Sequence, residues 1–323
     1  MHLRTVITSL CLFLFSTAYG QDFKTIPLPQ GFAGEEWEYS GLGKWNSTII
    51  LLPQYPGRYI YGLDSTYIHN SILGKKTTAA IHKWRLVNLE QVLEKIEYYE
   101  GFESIAVVEN KDVFFTIETS KPSSMCWIIK GQISQDSIIL DPQKTMALPK
   151  FKKIKSGVFE PVLNAGYEAL VWLPESDKLF TVFEYNKYDT QSHGLLIDRE
   201  LSGYSYIKMP AFDFRLTDMA TANDHIYAIN FWYPNEYKAY EPTEQIKKGN
   251  LAADWEKDAY TRIIELKADN QRIEKTRSFP LGFISCNWEG IISFSDGFLL
   301  INDKYLDKNK RGSTLVFWKI PAQ

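Results

Sequence analysis

The chain predicts an all-β fold, a β-propeller of five four-stranded blades, with six possible. Three observations point there. A unit of acid, apolar strand, polar turn, apolar strand and polar end recurs five times; each copy is followed by a third strand-like run; and a spare strand precedes the first copy. Self-similarity at a spacing of several strands is the mark of a propeller, because one blade cannot bury both of its faces alone.

The clearest copy is the last, Asn287 to Asp303. Glu289 opens an apolar strand, Ser295-Asp296-Gly297 makes the turn, and Phe298-Leu299-Leu300-Ile301 returns to Asn302 and Asp303. Asp-Gly between two β-rich runs is a strong hairpin signal, since both residues tolerate positive φ. Glu168 to Glu184 repeats the plan around Pro174-Glu175-Ser176-Asp177, and Glu103 to Glu118 around Glu109-Asn110-Lys111-Asp112. Weaker copies run from Asp218 to Asn230 and from Glu38 to Gln54. The leading acids are separated by 65, 65, 50 and 71 residues, room for about four strands and their loops. Third strands are expected at Tyr59–Leu63, Cys126–Ile129, Leu195–Ile197, Arg262–Leu266 and Leu315–Trp318.

The last copy runs out one strand short at Gln323, and Phe23–Leu28 is available to supply it, closing the ring so that no edge is left open. A sixth blade would need room between Gln54 and Glu103. Apolar residues at 89, 92, 93 and 96 instead predict a short helix there. The segment from Pro234 to about Asp258 reads as a partly helical insertion.

Residues 1–20 read as a secretory signal peptide: a basic start, an apolar run from Val6 to Phe15, and small residues Ala18 and Gly20 before a cleavage that leaves Gln21 first. The expected product is an exported, periplasmic or extracellular protein, with 21–323 as a single propeller domain. No later stretch is long and apolar enough to span a bilayer. A formal charge of −3 with both signs interspersed gives no footprint for nucleic acid, and a monomer is expected. Cys126 and Cys286 either pair or sit in the core.

The first strand of each propeller blade lines the central channel, so the leading acids should meet at its mouth. Glu38, Glu103, Glu168, Asp218 and Glu289 form the expected inner ring, with Gln54, Glu118, Glu184, Asn230, Asn302 and Asp303 as a secondary ring. Carboxylates gathered in a narrow channel must hold protons or enclose a cation. A hard cation with oxygen ligands, Ca²⁺ before Mg²⁺, is one solution. Strand-end capping, with each acid binding backbone N–H groups of the next blade, is the other. Bases on loops of the same face, Lys187 and His193 in the third unit and Lys304 in the fifth, are the candidate catalytic groups and would suit an anionic substrate. Trp37, Trp232, Tyr233 and Trp288 flank the mouth and could stack on a sugar. Neither Gly-x-Ser-x-Gly nor His-Glu-x-x-His occurs.

Asn287-Trp288-Glu289-Gly290-Ile291 with Ser295-Asp296-Gly297-Phe298-Leu299-Leu300, and Ser40-Gly41-Leu42 after Glu38, resemble the phytase-like family with esterase-like activity. The resemblance covers chiefly the leading strand of each unit. It implies an exported propeller with a calcium-dependent site at the channel, acting on phosphate or other esters. A non-catalytic propeller binding a glycan or a protein around a structural cation is the alternative reading. A glycosidase, which needs two carboxylates at a defined separation, is a third.

Overall fold

The computed structural model describes residues 23–155, 158–161, 165–186, 192–232, 260–269, 271–281, 286–305 and 312–321. The signal-peptide segment, the 234–258 insertion and Lys187 lie outside them. Strand β1 (Phe23–Ile26) comes first. The first blade is β2 (Tyr39–Trp45), β3 (Thr48–Pro53), β4 (Tyr59–Asp64) and β5 (Ile81–Val87), with helix α1 (Ser65–Ile72) between the last two. Helix α2 (Leu89–Leu93) leads to the second blade, β6 (Tyr99–Val108), β7 (Asp112–Thr119), β8 (Met125–Ile133) and β9 (Ser137–Pro149).

After a small hairpin, β10 (Lys152–Lys155) and β11 (Val158–Pro161), come β12 (Ala169–Leu173), β13 (Lys178–Val182), β14 (His193–Asp198) and β15 (Tyr204–Lys208) of the third blade. The fourth is β16 (Arg215–Ala222), β17 (His225–Trp232), β18 (Tyr260–Ala268) and β19 (Ile273–Pro280). The fifth is β20 (Cys286–Phe294), β21 (Gly297–Tyr305) and β22 (Leu315–Lys319).

Each blade is an antiparallel meander, and the innermost strands β2, β6, β12, β16 and β20 touch one another in a closed cycle. The fold is therefore a propeller, with five four-stranded blades among the described residues. Ring closure follows the sequence expectation: β1 pairs with β22, from Phe23 opposite Trp318 to Ile26 opposite Leu315, and becomes the outer strand of the last blade. The expected third strands are β4, β8, β14, β18 and β22. The 54–103 segment spends its extra length on α1, α2 and the outer strand β5; α1 is a helix the apolar spacing did not announce. Asp64 caps it by accepting from the Thr66 N–H at 2.7 Å.

The two outer strands β5 and β9 pair in parallel over Arg85–Val87 and Ser137–Ile139, fusing the first two blades into one sheet. Five apolar clusters fill the wedges between neighbouring blades, with Trp84, Trp288 and Trp318 among the largest fully buried side chains. Cys126 is buried in the cluster joining the second and third blades, and Cys286 in that joining the fourth and fifth. Among the described residues no helix is long and apolar enough to cross a membrane.

Candidate active site at the channel mouth

The acids arrive at the mouth through irregularities in the inner strands. In β6, Phe102 pairs with Ile117 and Ser104 with Thr116, so Glu103 is an extra residue in the ladder. In β20, Trp288 pairs with Asn302 and Gly290 with Ile301, leaving Glu289 as the extra residue. A bulge lets one side chain turn away from the alternation of the strand, here toward the channel. The corresponding extra residues are Ser40 in β2 and Thr217 in β16. Glu38 and Asp218 are thus not register equivalents of Glu103 and Glu289, a correction to the repeat alignment that turn positions alone cannot make.

Glu103 is buried and its Oε1 accepts from Gln54 Nε2 at 3.1 Å, a bond between the first two blades that the strand-end pairing within each blade did not foresee. Gly101, at φ +149°, allows this approach, since a Cβ there would meet the Gln54 side chain at 2.4 Å. Glu184 Oε1 accepts from the Gly166 N–H at 3.0 Å, and Glu118 lies against the same glycine. Glu168 is buried directly before β12, and its Oε2 has no hydrogen-bond partner among the described residues. The same holds for Glu118 Oε1 and Asp303 Oδ1.

Asp218 behaves differently. It accepts from the N–H groups of Met219 and Ile291, each at 2.8 Å, and from Ser104 Oγ at 3.1 Å. It therefore ties the fourth blade to the fifth and, across the channel, to the second. This is the strand-capping role, realised at one acid of the five. Two residues of the secondary ring are also structural. Asn230 accepts from Arg262 Nε at 2.8 Å and donates to Phe214 O, and Asn302 accepts from the Thr314 N–H.

The positive charges at the centre are ones that sequence reasoning passed over. Arg215, at the start of β16, lies 3.5 Å from Glu184 Oε2 and 3.8 Å from Glu289 Oε1, and donates to Asn287 Oδ1 at 2.8 Å. Its guanidinium sits 4.9 Å above the Phe231 ring. Lys150, at the end of the outer strand β9, is fully buried, donates to Thr119 O, and stands 3.8 Å from Glu118 Oε1. The only signal for Arg215 was its position three residues before Asp218. Lys150 comes from the opposite edge of its blade and left none.

Of the proposed catalytic bases, Lys304 is exposed at the mouth and pairs with Asp303 Oδ2 at 2.9 Å. His193 opens β14, two strands outward from β12, with its ring 5.2 Å from that of Tyr206 on the outermost strand.

Burial dominates the electrostatics. It raises Glu103 well above the ordinary carboxylate range, helped by Glu118 and Glu289, and raises Glu168 likewise, helped by Glu184 and Glu289. Burial pushes Glu118 up to about 7 against the pull of Lys150, and Glu289 up to about 7 against the pull of Arg215. Burial also raises Asp218, although its three hydrogen bonds oppose the shift. The whole group is thus shifted toward its protonated form, and Glu118 and Glu289 are poised to exchange a proton near pH 7.

The donor set fits a calcium ring poorly. Among the described residues no three His, Cys, Asp or Glu side chains converge as metal ligands. Asp218 is occupied by backbone N–H groups, and a guanidinium lies between Glu184 and Glu289.

No family model matches the chain, and no curated protein matches it. Among solved structures it is similar to a glucose dehydrogenase, at 11% identity over 94% of this chain and 100% of that one, TM-score 0.45. It is also similar to a GH43_1 enzyme from Xanthomonas citri, at 8% identity over 91% of each chain, TM-score 0.46. A third is a GH43 β-xylosidase/α-arabinofuranosidase from a compost microbial metagenome, solved with xylotriose in calcium-free form. It shares 9% identity over 91% of this chain and 93% of that one, TM-score 0.48. At these identities and scores neither reaction nor substrate carries over to this chain. Nor do these results extend the phytase-like resemblance beyond the residues that suggested it.

Proposed function

We propose that the channel mouth is the acid–base site of an exported hydrolase acting on glycosidic bonds of a neutral, hydroxyl-rich substrate. The observation that carries this reading is the group of buried carboxyls whose environments set their proton affinities apart. Burial, with Glu184 and Glu289 beside it, pushes Glu168 toward its protonated form with one oxygen unpartnered, while Glu289 is poised near pH 7 beside Arg215. Pairs of carboxyls driven apart in this way can divide the acid and base roles between them. Glu168 gives its proton to the leaving glycosidic oxygen. Ionised Glu289 takes one from a water whose oxygen attacks the anomeric carbon. Glu103 and Glu118 supply further hydrogen bonds to hydroxyls.

The two central cations that could hold a phosphate dianion are already engaged, Arg215 with Glu184 and Glu289 and Lys150 with Glu118, while carboxyls shifted toward protonation offer both donors and acceptors to hydroxyl groups. This favours a neutral sugar over the phosphate ester that the phytase-like resemblance implies. The deciding experiment offers purified protein a panel of p-nitrophenyl glycosides, p-nitrophenyl phosphate and p-nitrophenyl acetate, each with EDTA or with added calcium. The expected result is glycoside turnover that survives EDTA and falls by about 10²-fold or more in Glu168→Gln. Phosphate or acetate turnover that requires calcium would overturn the reading in favour of a metal-dependent esterase. Binding of sugars without any turnover would establish a non-catalytic propeller.

A further inference from the structure

Two exposed tyrosines stand at the ends of the strands that lead to Gln54 and to Glu103, Tyr55 after β3 and Tyr98 before β6. Tyr55 is 51% exposed and Tyr98 is 49% exposed. Tyr55 directly follows Gln54, whose amide donates to Glu103. Its ring stands edge-on to that of Tyr99, with centroids 6.3 Å apart at 84°, and the Tyr99 hydroxyl donates to Gln54 O at 3.3 Å. Burial, and then the charges of Glu100, Glu103, Glu38 and Glu118, push the Tyr55 phenol up.

Tyr98, the residue before β6, has φ +61°, and its carbonyl accepts from the Ser120 N–H at 2.7 Å. A bulky side chain in the left-handed region is uncommon. The other exposed tyrosines are placed differently. Lys83 Nζ lies 3.6 Å over the Tyr59 ring, and Tyr204 and Tyr206 belong to the outermost strand of the third blade.

We propose that Tyr55 and Tyr98, flanking Tyr99 at the junction of the first two blades, form a stacking rim for successive sugar rings of a neutral oligosaccharide. The rim leads the chain to Glu103 and Glu118. The axial C–H faces of pyranose and xylose rings are apolar and pack on aromatic faces, while their hydroxyls turn outward to polar partners. A rim beside the acids binds the part of the chain that does not react. Tyr55 and Tyr98 are thus specificity-determining residues, and the assignment rests on the sugar-binding reading above.

The test is titration calorimetry of the full chain with xylotetraose, cellotetraose and mannotetraose. It uses wild type, Tyr55→Ala, Tyr55→Phe, Tyr98→Ala and, as a control on the outer strand, Tyr204→Ala. At least one tetrasaccharide should bind wild type. Tyr55→Ala and Tyr98→Ala should each weaken that binding by about 5-fold or more, with Tyr55→Phe and Tyr204→Ala close to wild type. Failure of wild type to bind any of the three, or unchanged binding by both alanine variants, overturns the rim. Tetrasaccharide hydrolysis indifferent to Tyr55→Ala would sink the rim and leave the acid–base site. Tyr55-dependent binding without turnover would keep the rim and sink the hydrolase.

Discussion

At the scale of single residues, the mouth is governed by the contest between burial and two internal cations. Arg215 pulls Glu289, Glu168 and Glu118 downward, and Lys150 pulls Glu118. Replacing Arg215 by Met should therefore move the carboxyl titrations that fall near pH 7 upward. Carbon-13 NMR of labelled Glu side chains would read this whether or not the variant turns over substrate. An unchanged titration would mean the guanidinium does not set these affinities.

The same shifts make stability depend on pH. Glu118 and Glu289 rise to about 7 from an ordinary value of 4.5, so the folded state binds more protons than the unfolded state in between. Their contribution is fully present below pH 4.5 and is lost as pH rises through 7. The melting temperature should fall by at least about 3 °C from pH 5 to pH 8, and Glu289→Gln should flatten that slope. A melting temperature rising across this window would contradict the buried, proton-holding carboxyls.

At the scale of elements, inner-strand bulges and one crossing carboxyl build the site. The extra residues in β6 and β20 turn Glu103 and Glu289 toward the channel, while Asp218 spends its oxygens on Met219, Ile291 and Ser104. Asp218→Ala would leave the buried Ile291 N–H without its acceptor. It should cost about 2–4 kcal/mol in denaturant unfolding. Glu168→Gln, which removes no such bond, should leave stability at neutral pH unchanged or raised. If Asp218→Ala proved neutral, the strand-tying role would be wrong.

At the scale of the whole molecule, the ring is held by β1. Its four residues cover the edge of β22, and Ile26 is buried in the wedge between the fifth and first blades. Removing residues 23–26 would expose that edge and part of the wedge. Melting should drop by about 10 °C or more, with self-association visible by light scattering. A truncated chain that melts like the intact one would show that the remaining three strands close the ring unaided.

Much of this architecture was legible along the chain because a blade repeats local chemistry. The Ser295-Asp296-Gly297 turn, the third strands and the spare Phe23–Leu28 run each carry their own pattern, and each formed where that pattern placed it. The five leading acids were legible as a group that must hold protons or enclose a cation. What the sequence could not order was their division of labour. A one-residue bulge separates Glu103 and Glu289, turned toward the channel, from Asp218, bound to backbone, and no local pattern distinguishes them. Nor could it find Lys150, carried to Glu118 from the end of an outer strand, or the Tyr55–Tyr99 contact between neighbouring blades. Periodicity and turn chemistry act between near neighbours, so the sequence by itself determined the repeated blade unit and the strand that closes the ring. Closure of the ring brings distant residues within a few ångströms, so only the tertiary structure decided which acids are buried, which are bonded and which cations face them.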